Sequence, residues 1–129
     1  MGGQDMNYNE LYDDFINLFP EDASRFKRLE EEAGVVKSED GIYVMYDMVV
    51  VPYVKDIVDE APAKAKIAFD FFESMEKDEN PEVGNVMEVS VLESLLTSDG
   101  GLNKYLPFHG EETLKAARYI AQFYDSKPF

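Results

Sequence analysis

The sequence predicts a mainly α domain of five or six helices stacked as αα-hairpins. Three observations carry that expectation. Apolar residues recur at helical spacing along most of the chain, and prolines and glycines fall where helices begin and end. In addition, 45% of the 129 residues are hydrophobic, enough for one core. We expect an unstructured lead over residues 1–6 and a single helical domain over residues 7–126.

Asn7 is placed to cap a first helix whose apolar positions Leu11, Phe15 and Leu18 share a face, and Pro20 ends it. A second helix begins at Pro20. Phe26 and Leu29 give it a thin apolar stripe, Glu30, Glu31 and Glu32 a solvated end, and Gly34 a stop.

Residues 35–51 stay open between strand and helix. Val35-Val36-Lys37 and Ile42-Tyr43-Val44 flank Ser38-Glu39-Asp40-Gly41, so a short β-hairpin near residues 35–46 fits the turn chemistry. From Asp47 as a cap, Met48, Val51, Val54, Ile57 and Val58 recur at helical spacing, with Pro52 tolerable only near the first turn.

Pro62 suits the first position of the next helix, along which Ala65, Ala68, Phe69, Phe72 and Met75 line one face. Such a stripe is core packing rather than a cofactor site. Asn80-Pro81 then reads as cap and first residue of a helix reaching about Thr97. Its apolar residues surround it, Val83, Val86, Met87, Val91 and Leu95 on one half and Val89, Leu92 and Leu96 on the other, so it should be central. The last helix runs from about Glu111 to Tyr124.

The charge is one-sided. With 12 basic and 27 acidic residues the net charge is −15, which argues against nucleic acid or an anionic membrane as ligand, since both are held by lysine and arginine. Between Lys77 and Lys104 stand Asp78, Glu79, Glu82, Glu88, Glu93 and Asp99 without one basic residue. That stretch suggests a surface for a basic protein partner. Glu82, Glu88, Glu93 and Asp99 are its expected acidic contacts. Tyr43, Tyr46, Tyr53 and Tyr105 are the expected aromatic anchors, because a few buried aromatics carry most interface energy.

Catalytic signals are absent or broken. Glu88 and Glu93 are each flanked by apolar neighbours on the helical wheel, which makes both partly buried acids. Five residues apart, they point about 140° from each other and cannot pair as a carboxylate dyad. We expect no metal and no cofactor. There is no cysteine and one histidine, His109, expected in a loop before the last helix. The calcium-loop likeness of Asp78 to Gly84 fails, because its glycine comes one place late and Val89 occupies the bidentate position. The cysteine count, the lack of a long apolar run and the N-terminal composition lead us to expect a cytoplasmic protein.

Asp78-Glu79-Asn80-Pro81-Glu82-Val83, with Leu92 and Leu95 downstream, is similar to the inter-helix turn and second helix of a HEAT-type repeat. More broadly, Asn80-Pro81-Glu82-Val83 through Val89-Ser90-Val91-Leu92-Glu93-Ser94-Leu95, together with Leu11 to Phe19 and Pro52-Tyr53-Val54, resembles small acidic α-helical immunity-like proteins of bacterial polymorphic toxin systems. The resemblance spans most of Met6 to Tyr124. It implies binding rather than turnover, namely an immunity-type inhibitor that occludes a basic toxin surface. The alternatives are a repeat-like scaffold or regulatory subunit, and a hydrolase using Glu88 or Glu93 as general base.

Overall fold

In the computed structural model the described residues are 6–98 and 101–122. They are mainly α, and no strand occurs among them. A 3₁₀ turn at Tyr8–Glu10 leads into α1 (Leu11–Ile16), and another at Pro20–Asp22 leads into α2 (Ala23–Ala33). There follow α3 (Lys37–Met45), α4 (Val51–Glu60), α5 (Pro62–Lys77), α6 (Pro81–Val86), α7 (Glu93–Leu96) and α8 (Glu111–Ala121), with a 3₁₀ stretch at Gly101–Phe108 before α8. Tyr124 lies outside the described residues.

Local chemistry sets most of the boundaries. The Asn7 side chain accepts from the Asn9 amide, and the Asn80 side chain from the Glu82 amide, so both caps stand where the sequence puts them. Gly34 ends α2 in the left-handed region at φ 70°, its amide donating to the Glu30 carbonyl at 2.9 Å. Ala61 alone separates α4 from α5, and Pro62 starts the second. Met6 belongs to the fold and not to a lead, because its amide donates to Asp78 Oδ1 at 2.8 Å. Residues 1–5 of the expected lead are outside the described residues.

The β-hairpin expected near residues 35–46 is replaced by helix. Asp40 Oδ2 accepts from the Val36 amide at 2.7 Å, closing a helical turn that Ser38 to Asp40 continue. Gly41, at φ 84° and ψ 170°, then redirects the chain into a second helical piece. Asp47 is not a cap either.

Among the described residues two π turns interrupt the helices. At Tyr46–Val50 the ladder widens so that the Val51 amide reaches the Tyr46 carbonyl, joining α3 to α4 just before Pro52. A proline there has no amide to donate and its ring crowds the carbonyl four residues back; a wider turn relieves both faults. The second, at Met87–Leu92, joins α6 to α7. The two turns pack against each other.

The core is aromatic around α1. Phe15, fully buried, stacks parallel on Phe72 at 5.6 Å and meets Phe26 and Tyr53 edge-on. Each ring so buried contributes on the order of 2–3 kcal/mol. Val83, Val86, Met87, Val91, Leu92 and Leu95 are all buried, which makes the α6–α7 rod central, as its two-sided pattern predicts. No helix of the described residues is long and apolar enough to cross a membrane.

Candidate functional site

The outer side of the α6–α7 rod is the part of it that the core leaves free. Glu82, Asn85 and Val89 are exposed and Glu93 is partly so, at spacings of three or four residues. The pairing of the two π turns brings α3 and its extension beside this stripe. Asn85 Nδ2 donates to the Tyr43 hydroxyl at 2.8 Å, and Ser90 Oγ donates to the Tyr43 carbonyl at 3.2 Å. The Tyr8 ring lies 6.2 Å from that of Tyr43 and extends the surface toward Glu82.

Its electrostatics are those of crowded acids. Partial burial pushes the Asp47 carboxyl above its ordinary range; the Ser90 hydroxyl offsets part of this, and the charge of Glu93 adds to it. Burial also raises the Tyr8 hydroxyl, with Tyr43 and then Glu82 adding to it. The result is one face with two half-buried tyrosines, an exposed valine and three carboxylates. Such a face can take cations and the apolar stems that carry them.

The expected site residues divide. Glu82, Glu93 and Tyr43 come together here. Tyr46, Tyr53 and Tyr105, expected as anchors, are instead core residues no more than 1% exposed. Each satisfies its hydroxyl or ring internally. Tyr46 donates to the Leu11 carbonyl at 2.8 Å, Tyr53 to Asp22 Oδ2 at 2.5 Å, and the Tyr105 ring stacks on Phe69. Glu88 turns inward to α5, and Asp99 lies outside the described residues. Sequence reasoning missed Tyr8, Asp47 and Asn85. Tyr8 lies within a capping turn and Asp47 resembled a cap, so neither carried a signal of its own; Asn85 needed the stripe Glu82-Asn85-Val89-Glu93 to be read as an exposed edge.

Behind the rod is a second polar cluster. Glu76 on α5 carries a buried Oε2 that has no hydrogen-bond partner, and α5 packs there against the π turn that carries Glu88. Burial, then the charge of Glu88, pushes Glu76 up to about 9. One turn earlier, Glu73 accepts from the Glu112 amide, the Thr113 amide and the Thr113 hydroxyl at 2.8–2.9 Å. These bonds hold it below the ordinary carboxylate range although partial burial opposes them. His109 packs 5.5 Å from Phe69, and both its ring nitrogens are buried without a hydrogen-bond partner. Burial pushes it down to about 4, against the opposing charge of Glu73. The signal for Glu73 and Glu76 was available: each stands four residues after a core phenylalanine, Phe69 and Phe72. Among the described residues no group of three or more histidines or acids is placed to hold a metal ion.

A shallow groove of about 410 Å³ also opens between α1 and α2 over Ile16, Pro20, Ala23 and Phe26. Its polar edge is committed, since Glu30 accepts the Tyr12 hydroxyl at 2.5 Å. It therefore offers shape but no convergent chemistry.

Comparison with known proteins gives a family match. The model of a family described as a domain of unknown function, DUF7674, matches residues 12–125. No curated protein and no solved structure matches the chain.

Proposed function

The chain belongs to the DUF7674 family, a domain of unknown function, and from that premise we propose that it is a non-enzymatic acidic binding protein. It docks a basic protein surface on the Tyr8–Tyr43–Asp47–Asn85–Glu93 face. The observation that carries this reading is the pairing of the two π turns, which sets half-buried tyrosines and carboxylates side by side. π turns are rare inside helices and are frequent at functional sites. The net charge of −15 supports the same partner, since it steers a cationic surface toward the face.

The resemblance to HEAT-like immunity proteins gives the reading its most concrete form, a cytoplasmic inhibitor that occludes the basic surface of a toxin. A scaffold or regulatory subunit would use the same face for a partner that is no toxin. The hydrolase reading has the weakest support, because Glu88 lies on the π turn packed against α5 rather than in an open cleft.

The test is binding to the protein encoded by the neighbouring gene, followed by stopped-flow association at about 50 and 500 mM salt. The Debye length falls from roughly 14 to 4 Å over that range, so association should slow far more than dissociation speeds up. Tyr43→Ala should speed dissociation, and Glu82→Gln with Glu93→Gln should flatten the salt dependence. An association rate indifferent to salt and to these acids would overturn the reading. Loss of the partner's toxicity on binding separates inhibitor from scaffold.

A further inference from the structure

We propose that the carbonyl oxygens of Asp47 and Val89, passed over by the two π turns, receive the ammonium of a partner lysine whose hydrocarbon stem lies on Met48 and Val89. This rests on the Tyr8–Tyr43–Asp47–Asn85–Glu93 docking face and names the chemical group that the face takes. The ground is the way each turn uses its amides. At the first turn the Val51 amide donates to the Tyr46 carbonyl, five residues back, where an α ladder would have it donate to Asp47. The next amide able to serve Asp47 would come from position 52, a proline, which has none. The Asp47 carbonyl is thus left without an amide of its own helix.

The second turn gives the same result. The Glu93 amide donates to the Glu88 carbonyl and the Thr97 amide to the Glu93 carbonyl. The four carbonyls of residues 89–92 then face the three amides of residues 94–96, so one carbonyl has none. α7 resumes the four-residue spacing, which makes Val89, next after the last π acceptor, the one passed over. The two turns also match in sequence. Val44-Met45 stands before Tyr46 and Val86-Met87 before Glu88, so Asp47 and Val89 are counterparts. One turn earlier Tyr43 and Asn85 are counterparts too, and their side chains hydrogen-bond to each other at 2.8 Å. Asp47 and Val89 are both exposed.

Acceptor chemistry decides what such a site takes. A carbonyl that lacks its ladder amide gains more from a charged donor than from a neutral one. Asp47 adds a carboxylate next to its own carbonyl, and a net charge of −15 favours a cation. An ammonium is a compact charge with three N–H donors that can turn toward separate acceptors, whereas a guanidinium is a rigid planar fork matched to the two oxygens of one carboxylate. Met48 and Val89, 44% and 43% exposed, give the methylenes of a lysine an apolar surface to lie on. A bare metal ion would have no use for that surface, and among the described residues no group of three or more acids or histidines is placed to hold one.

The experiment uses the full chain and three peptides of equal length and charge, in which alanine alternates with lysine, with arginine or with Nε-trimethyllysine. Trimethyllysine keeps the charge and the stem and loses every N–H donor. At about 50 mM salt, where screening is weak, the lysine peptide should bind most tightly and the trimethyllysine peptide about tenfold more weakly, with arginine between them. The carbonyl carbon-13 shifts of Asp47 and Val89 should move with the lysine peptide and stay in place with the trimethyllysine peptide. Pro52→Ala supplies the missing amide, so it should weaken the lysine peptide several-fold and leave the trimethyllysine peptide unchanged. Equal affinities for the three peptides, with Glu82 and Glu93 side-chain signals moving, would overturn the lysine site while the basic-surface reading stands. So would a lysine preference in which the two carbonyl shifts do not move. No peptide bound at this face would overturn both.

Discussion

The Tyr53 hydroxyl and the Lys64 ammonium meet on one oxygen of Asp22, at 2.5 and 2.7 Å. This ties α4 and α5 to the turn before α2, where Lys64 also reaches Glu21 at 3.3 Å. Lys64 first and Tyr53 second hold the Asp22 carboxyl below its ordinary range. Tyr53→Phe keeps the ring on Phe26, 4.4 Å away, and should cost about 1–2 kcal/mol in urea unfolding at pH 7. Because Asp22 is lowered, the bond's contribution is present above pH 3.8 and is lost as acid protonates the group. The difference between variant and wild type should therefore shrink toward pH 2.

Glu73 and Gly110 form a second separable unit. A Cβ at Gly110 would overlap the Glu73 side chain and displace the carboxylate from the Glu112 and Thr113 amides. Glu73→Ala should cost about 2–3 kcal/mol, since three hydrogen bonds to a charged group are lost and a helix start is uncapped. Gly110→Ala alone should cost a similar amount, yet very little in a Glu73→Ala background. Additive costs in that double-mutant cycle would disprove the coupling.

At Gly34 and Gly41 nothing lies within 4 Å of a built Cβ, so substitution there reports backbone strain alone. Gly34 is in the left-handed helical region, where alanine costs about 1 kcal/mol. Gly41, at φ 84° and ψ 170°, is in a region that only glycine populates, and Gly41→Ala should cost about 2–3 kcal/mol. Equal urea midpoints for the two variants would contradict this account of the kink.

His109 faces acid rather than base. Its ring is pushed down to about 4 by burial, so its own contribution to stability is present above 6.5 and is lost as pH drops toward 4. His109→Phe removes two buried nitrogens that have no partner and keeps the contact with Phe69. The variant should be at least as stable as the wild type at pH 7 and should hold its melting temperature better at pH 4.5.

The legible part of the fold is the part encoded within a few residues. Asn80-Pro81, Ala61-Pro62 and Gly34 act on their own neighbours, so caps, starts and stops could be read directly. The α6–α7 rod was also legible, because apolar residues on all sides admit only burial. Residues 35–51 stay open in the sequence for a physical reason. Ser38 to Gly41 have the chemistry of a hairpin turn, and what decides for helix is packing of Ile42, Met45 and Tyr46 against the core. The candidate face was half legible: charge pointed to Glu82 and Glu93, but only the pairing of the π turns adds Asp47 and Tyr8. Aromatic identity could not separate Tyr43, on the surface, from Tyr46, three residues on and fully buried. The burial of the Glu76 carboxyl was not legible along its own helix, because the elements that enclose it come from distant parts of the chain.

Glu73 reaches α8 from 39 residues earlier in the chain, and this has a consequence for the order of folding. α8 has 11 residues and no capping side chain of its own, and isolated helices of that length are marginal in water. Its first turn can therefore become stable only on an α5 that is already in place. During synthesis α5 emerges well before Gly110, so the docking platform precedes the element it receives. α8 should accordingly acquire its structure late in folding and lose it early in unfolding. Any proteolytic or mechanical opening of the domain should begin at that end.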